Sequence, residues 1–220
     1  MTVCSTAATL DTVQSSPEFV APYPVQLRGS PLARWVLGLF GWKVEFDGLP
    51  SPQGVLIVYP HTSNWDFVVL ILAKWAVGLR ASFWGKDTLF RIPLFGRWLR
   101  WIGGEPVIRD APRGVVGQAV DAFQTHKARG DFFWLGLSPE GTRKRSDGWR
   151  SGFYQTALQA DVPLGLAQLD FGKRKVVVRN FIRLSGEVAA DMRRIAASFD
   201  GVRGQNPENA SPIRFADKQP

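Results

Sequence analysis

The chain has little that could cross-link it, ligate a metal through sulfur, or carry it through a bilayer. One cysteine, Cys4, stands among 220 residues, so neither an intramolecular disulfide nor a cysteine-based metal site is available. The first 27 residues hold no Lys or Arg while carrying Asp11 and Glu18. They lack both the basic start of a secretory signal and the Arg-rich character of a transit peptide, and no export is expected. The most apolar run, Phe67 to Trp84, is interrupted by Lys74 and Arg80. That falls short of the roughly 20 uninterrupted apolar residues a spanning helix needs, so contact with a membrane would be peripheral. A Gly/Ser linker and a fixed-period repeat are also missing, which predicts one domain over residues 31–200 between two loose ends, 1–30 and 201–220.

Basic charge and aromatic rings are plentiful. With 27 Lys and Arg against 19 Asp and Glu the net charge is +8, and the aromatic fraction of 12% includes nine Trp. Such a balance seeks an anionic partner: nucleic acid, a phosphorylated substrate or an acidic membrane leaflet. Between Arg80 and Arg150 there are 13 Lys and Arg against 7 Asp and Glu, so this stretch holds six of the eight excess charges. From Phe83 to Trp101, Trp84, Phe90, Phe95, Trp98 and Trp101 interleave with Lys86, Arg91, Arg97 and Arg100. This is the pattern of an interfacial surface, with rings at headgroup level and cations on anionic lipid. Base stacking with phosphate contacts would use the same residues, as would a core with a solvated face.

Short β-rich runs alternate with longer helical ones. Pro31 to Trp42 reads as a helix with Pro at its first position, KVEFDG and GVLIVYPH as strands, and Asp66 to Leu79 as a helix opened by Ser63 and Asn64. The alternation continues through ASFWGK, PLFGRWLRWIG, EPVIR, a helix over Val115 to Ala128, and the strand run FFWLGL. A helix near Phe153 to Ala160, the strands PLGLAQLD and VVVRNFIRL, and a helix from about Glu187 to Phe199 complete it. Strands alternating with helices predict an α/β fold, one layered domain with a mostly parallel central sheet flanked by helices. Apolar runs such as LIVY suit strands buried on both faces.

Three clusters fall at predicted strand ends. In HTSNWD, His61 precedes Asp66 by five residues, which on one helix would set them roughly 140° apart. They meet if His61 lies in the loop and Asp66 in the first helical turn. A carboxylate on one ring nitrogen leaves the other free as a general base; the alternative is a turn histidine and a helix-dipole acid. His126, at a helix end beside Lys127 and Arg129, reads as a cation favoured by the dipole. In SPEGTRKR, Pro139 and Gly141 bracket Glu140 in a tight turn, and Arg143 offers a bidentate fork to phosphate, the alternative being a solvated basic loop. In GGEPVIRD, Arg109 ends a short strand after two glycines, a pattern that structure alone would also explain.

Together these clusters, in this order, resemble the glycerolipid acyltransferases, the lysophosphatidic acid acyltransferase type in particular. The resemblance covers about Lys43 to Ser185. His61 to Asp66 match the family's H-x4-D block, Gly103 to Arg109 its second block, Pro139 to Arg143 its P-E-G-T-R block, and Val162 to Asp170 its fourth. It implies that His61, oriented by Asp66, deprotonates a glycerol hydroxyl attacking an acyl thioester of coenzyme A or acyl carrier protein, with no covalent enzyme intermediate. It implies that Arg109 and Arg143, with Glu140, Gly141 and Thr142 in the same turn, bind the acceptor's phosphate. No permanently bound cofactor and no metal is called for. The expected acceptor is a glycerol phosphate or lysophospholipid, and the expected place is the cytoplasm, at the inner face of an anionic membrane. Nucleic acid becomes the minor reading. Another lysolipid or an amino-acid-derived lipid as acceptor, or a non-catalytic lipid- or nucleic-acid-binding protein, are the alternatives.

Overall fold

A computed structural model describes residues 28–107 and 114–216. The chain runs through α1 (Pro31–Leu39), β1 (Lys43–Phe46), β2 (Gln53–Tyr59), α2 (Trp65–Val77) and β3 (Ala81–Lys86). It continues through α3 (Asp87–Phe90), α4 (Phe95–Trp101), β4 (Gly104–Val107), α5 (Gly114–Arg129) and β5 (Phe133–Leu137). Then come α6 (Gly152–Gln159), β6 (Leu164–Asp170), β7 (Lys175–Ile182) and α7 (Val188–Ser198). One seven-stranded sheet forms in the order β1-β7-β6-β2-β5-β3-β4. Every pairing is parallel except β6 with β7.

Alternation along each strand divides the core into two layers, because successive side chains point to opposite faces. From β2, Val55, Ile57 and Tyr59 pack with Phe123 of α5 and Phe153 of α6. Leu56 and Val58 face the other way, toward Ala33 and Leu37 of α1 and Val69, Ala73 and Ala76 of α2. Local signals start and stop these helices. Ser30 accepts the Ala33 N–H at 3.2 Å and Pro31 opens α1, while Gly78, in the left-handed region at φ 76°, ends α2.

The end of the chain departs from its reading as a loose tail. Gln, Asn, Pro and Ser give the stretch after Arg203 a disordered-looking composition, yet residues 204–216 lie back against the loops at the strand ends. Ser211 is fully buried. The Trp149 backbone N–H donates to the Arg214 carbonyl at 2.7 Å and its carbonyl accepts the Ala216 N–H at 3.0 Å, and Phe215 packs on Tyr154 with ring centroids 5.7 Å apart. A buried backbone has to satisfy its polar groups, and the hydrogen bonds to these loops do so.

The aromatic stripe is split. Phe90 is buried over a small core with Leu99 and Ile102, and Trp84 packs against the main core. Phe95, Trp98 and Trp101 stay exposed, Trp101 at 72%. α1, apolar nearly all round, buries Ala33 and Leu37 while Leu32, Trp35, Leu39 and Phe40 face solvent. α1 is tied to α2 by hydrogen bonds from Ser30 N to Trp75 O and from Arg34 Nε to Ala76 O. Ring contacts of Trp101 with Trp75 and Trp98 with Phe67 join α4 to α2. The exposed rings thus belong to one helical layer.

Candidate active site

β2 and β5 are parallel neighbours, with Ile57 opposite Leu137. The loop after each therefore emerges at the same edge of the sheet, and residues 79 apart in sequence become neighbours there. Carboxyl ends of parallel strands are where open α/β sheets place their ligands.

In the first loop, His61 Nδ1 lies 3.0 Å from Asp66 Oδ2, with Asp66 wholly buried and the His61 side chain 24% exposed. Asp66 also accepts the N–H groups of Thr62 at 2.6 Å and Ser63 at 2.9 Å, and the Ser63 hydroxyl at 3.1 Å. Burial pushes its carboxyl up, but the hydrogen bonds from His61, Ser63 and Thr62 outweigh that and hold it below the ordinary carboxylate value. Asp66 is thus charged at neutral pH and ties the His61 ring and the turn of Thr62 and Ser63 to the start of α2. Of the two residues read as opening α2, Ser63 does so and Asn64 does not. Ser63 Oγ accepts the Trp65 N–H at 3.0 Å, while Asn64 makes no cap hydrogen bond. Its amide oxygen instead accepts from Arg143. His61 Nε2 makes no hydrogen bond among the described residues. The arrangement suits accepting a proton from a molecule arriving from solvent.

The second loop is closed by Gly141 N to Ser138 O at 3.2 Å and Arg150 N to Pro139 O at 2.8 Å. Gly141 sits at φ 65°, where a Cβ would stand 2.9 Å or less from the Arg150 side chain, so only glycine turns here without strain. Glu140, expected at the phosphate, is placed against protein groups. Its carboxylate is 1% exposed and accepts two backbone N–H groups, from His61 at 2.6 Å and Ser211 at 2.8 Å. Burial raises its proton affinity, opposed by those two donors. Through these two contacts Glu140 holds the histidine loop. The Thr142 hydroxyl accepts the Lys144 N–H at 3.2 Å, a local turn contact. Arg143 is the exposed cation that the turn presents beside Asn64.

Arg109 lies outside the described residues, two positions beyond the end of β4, which is parallel to β3 and so ends at the same sheet edge. The fourth block forms β6, which pairs with β2 on the side opposite β5. His126 plays no part here: it stacks on Phe133 with centroids 4.4 Å apart and lies 3.4 Å from Asp131. Sequence reasoning missed Asn206 and Ser211, whose signal is hidden in a stretch of loop-like composition.

A mostly parallel α/β sheet thus carries a buried carboxylate, a histidine with one unengaged nitrogen, and an exposed arginine at one edge. The sequence model of the Acyltransferase family matches residues 43–165, more than half of the 220 residues, and the chain belongs to that family. Among solved structures it is similar to the 1-acyl-sn-glycerophosphate (LPA) acyltransferase PlsC from Thermotoga maritima. The two are 19% identical with a TM-score of 0.48, over 76% of this chain and 72% of that one. No curated protein sequence matches.

Proposed function

We propose that this protein moves a fatty acyl group from the thioester of coenzyme A or acyl carrier protein to a hydroxyl of a glycerophosphate-type acceptor such as 1-acyl-glycerol-3-phosphate. The observation that carries the reading is the His61–Asp66 pair, 3.0 Å apart, with Nε2 unengaged at the edge where Arg143 is exposed. His61 Nε2 takes the acceptor's hydroxyl proton as that oxygen attacks the thioester carbonyl. Asp66 stabilises the imidazolium, the carbon–sulfur bond breaks, and the proton passes to the departing thiolate, leaving ester and free thiol. Arg143 exchanges its contact with Asn64 for the acceptor phosphate, a bidentate role suited to guanidinium; Arg109 is proposed as a second phosphate ligand.

The acceptor is a lipid, and the exposed layer fits approach from a bilayer. Trp35 is 62% exposed, Leu94 77% and Trp101 72%, with Arg97 and Arg100 in the same α4 segment. Among the described residues no helix is long and apolar enough to cross a membrane. The proposed setting is peripheral attachment to the anionic cytoplasmic face of a membrane.

The test is thiol release from acyl-CoA, and separately from acyl carrier protein, with glycerol-3-phosphate, lysophosphatidic acid and other lysolipids as acceptors. Phosphate-dependent turnover that vanishes in a folded His61→Ala variant supports the reading. Vesicle binding without turnover, or turnover indifferent to that change, overturns it.

A further inference from the structure

The dyad is gripped from behind by a part of the chain that lies beyond the 43–165 family match. Asn206 holds Thr62 at two points, its backbone N–H donating to Thr62 Oγ1 at 3.2 Å and its side-chain amide donating to the Thr62 carbonyl at 3.1 Å. Gly204 lets the backbone lie directly on that residue, since a Cβ there would stand 2.6 Å from Thr62 Oγ1 and 2.9 Å from its methyl. Thr62 is 2% exposed, and its own N–H donates to Asp66 Oδ2, the oxygen that faces His61 Nδ1. Five residues on, Ser211 reaches the same loop by another route. Its N–H donates to Glu140 Oε1 at 2.8 Å, and Glu140 Oε2 receives the His61 N–H at 2.6 Å. Ser211 is further fixed by the Tyr59 hydroxyl on its carbonyl at 3.0 Å and by Ser146, whose N–H donates to Ser211 Oγ at 3.1 Å.

From these contacts we infer that residues 204–215 are a positioning strap for the catalytic pair, with Asn206 and Ser211 as its two working points. The strap takes no part in proton transfer. Asn206 sets the height of Thr62, and thereby the angle at which Asp66 meets the His61 ring; Ser211 keeps Glu140 aimed at the His61 backbone. A histidine loop held only by its own turn would sample ring orientations in which Nε2 misses the attacking oxygen, and displacement of about 1 Å at such a centre costs about a hundredfold in rate. The catalytic consequence rests on the acyl-transfer reading, whereas control of the His61 ring does not.

Asn206→Ala and Asn206→Asp test this, the second keeping the backbone N–H and side-chain size while removing the amide donor. Val176→Ala in β7, a buried truncation two strands from β2, serves as the matched control for lost stability. For each protein kcat, KM and Tm are measured, together with the tautomer of His61 by nitrogen-15 NMR. The chain has two histidines, so a His126→Gln background assigns the signal. The strap predicts that both Asn206 variants lose about tenfold or more in kcat with KM within about twofold, and that the population of the Nδ1–H tautomer falls. Val176→Ala, at equal or greater loss of Tm, keeps kcat and the ring signal. Unchanged kcat and ring signal in the Asn206 variants overturn the inference, as does an equal kcat loss in the control. If the unaltered protein shows no thioester turnover, the functional reading fails by itself. The ring signal then decides the strap, supporting it if Asn206→Ala alters the tautomer and overturning it if not.

Discussion

The Glu140 carboxylate accepts the backbone N–H of His61 at 2.6 Å, joining two loops 79 residues apart in sequence. A tight turn that looks built for phosphate thus spends its acid on the protein itself. Glu140→Gln presents one oxygen and one N–H₂ to two backbone donors, so one donor is left facing another. Losing one such buried hydrogen bond and leaving its donor unpaired costs about 2 kcal/mol, which lowers Tm by about 4–8 °C in a chain of this size. Calorimetry checks the stability, and a larger relative fall in kcat than in acceptor affinity checks that the damage reaches His61.

Asp66→Asn removes the charge that stabilises an imidazolium and sets an amide against four donors. The expected fall in kcat is about 10²- to 10⁴-fold, with acceptor KM little altered. The variant also loses a pH signature. Because the folded carboxyl titrates below its ordinary value, its stabilisation is complete above the ordinary carboxylate range and disappears as pH falls through the lowered value. Acid unfolding of Asp66→Asn is correspondingly flatter, which denaturant titrations at stepped pH measure.

Arg143→Gln separates acceptors by their charge. Loss of a charge-assisted contact worth about 1.5–3 kcal/mol lowers kcat/KM about 10- to 100-fold for phosphate-bearing acceptors and leaves neutral acceptors at their former rate. Arg143→Lys recovers part of the loss, since it keeps the charge without the planar fork. Equal losses for charged and neutral acceptors would show that Arg143 shapes the loop through Asn64 instead.

Trp35→Ser and Trp101→Ser remove exposed rings from the helical layer without opening the core. Each is expected to weaken binding to anionic vesicles by about tenfold, from about 1.5 kcal/mol of ring burial, and the double change more. Binding of the unaltered protein declines with added salt as the basic residues of α4 are screened. Vesicle sedimentation at two salt concentrations reads both effects.

Lys74 supplies a test remote from the dyad. Its ammonium donates to the carbonyls of Ala81 at 2.8 Å and Ile102 at 2.5 Å, and burial lowers its pKa from 10.5 to about 8. Between those values the unfolded chain keeps a proton that the folded protein has released, so this group makes stability rise with pH from about 8 toward 10.5. Lys74→Met removes that contribution, and denaturant titrations across the window detect the flatter profile.

Much of the architecture was legible because apolar periodicity and turn residues are local properties. LIVY and FFWLGL are buried strands β2 and β5, and Asp66 falls in the first turn of α2 as the five-residue spacing from His61 requires. The contacts of Glu140 were hidden from the sequence for a physical reason. A carboxylate in a P-E-G turn reads the same whether it faces a ligand or two backbone amides, and its partner Ser211 lies 71 residues away. The tail was misread for a similar reason: its polar side chains satisfy other loops rather than one another, leaving no periodic trace.

By itself the sequence determined the order of elements, the five-residue spacing that lets His61 meet Asp66, the charges that interrupt its longest apolar run, and the excess of positive charge. Those follow from spacing and composition within a few turns of chain. Only the tertiary structure decided that β5 lies beside β2 and so sets Arg143 near Asn64, that Phe90 goes inward while Trp98 and Trp101 remain outside, and that Asn206 and Ser211 stand behind the His61 loop. Each of these depends on strand order and on which buried polar groups find partners, quantities that exist only once distant segments share one sheet edge.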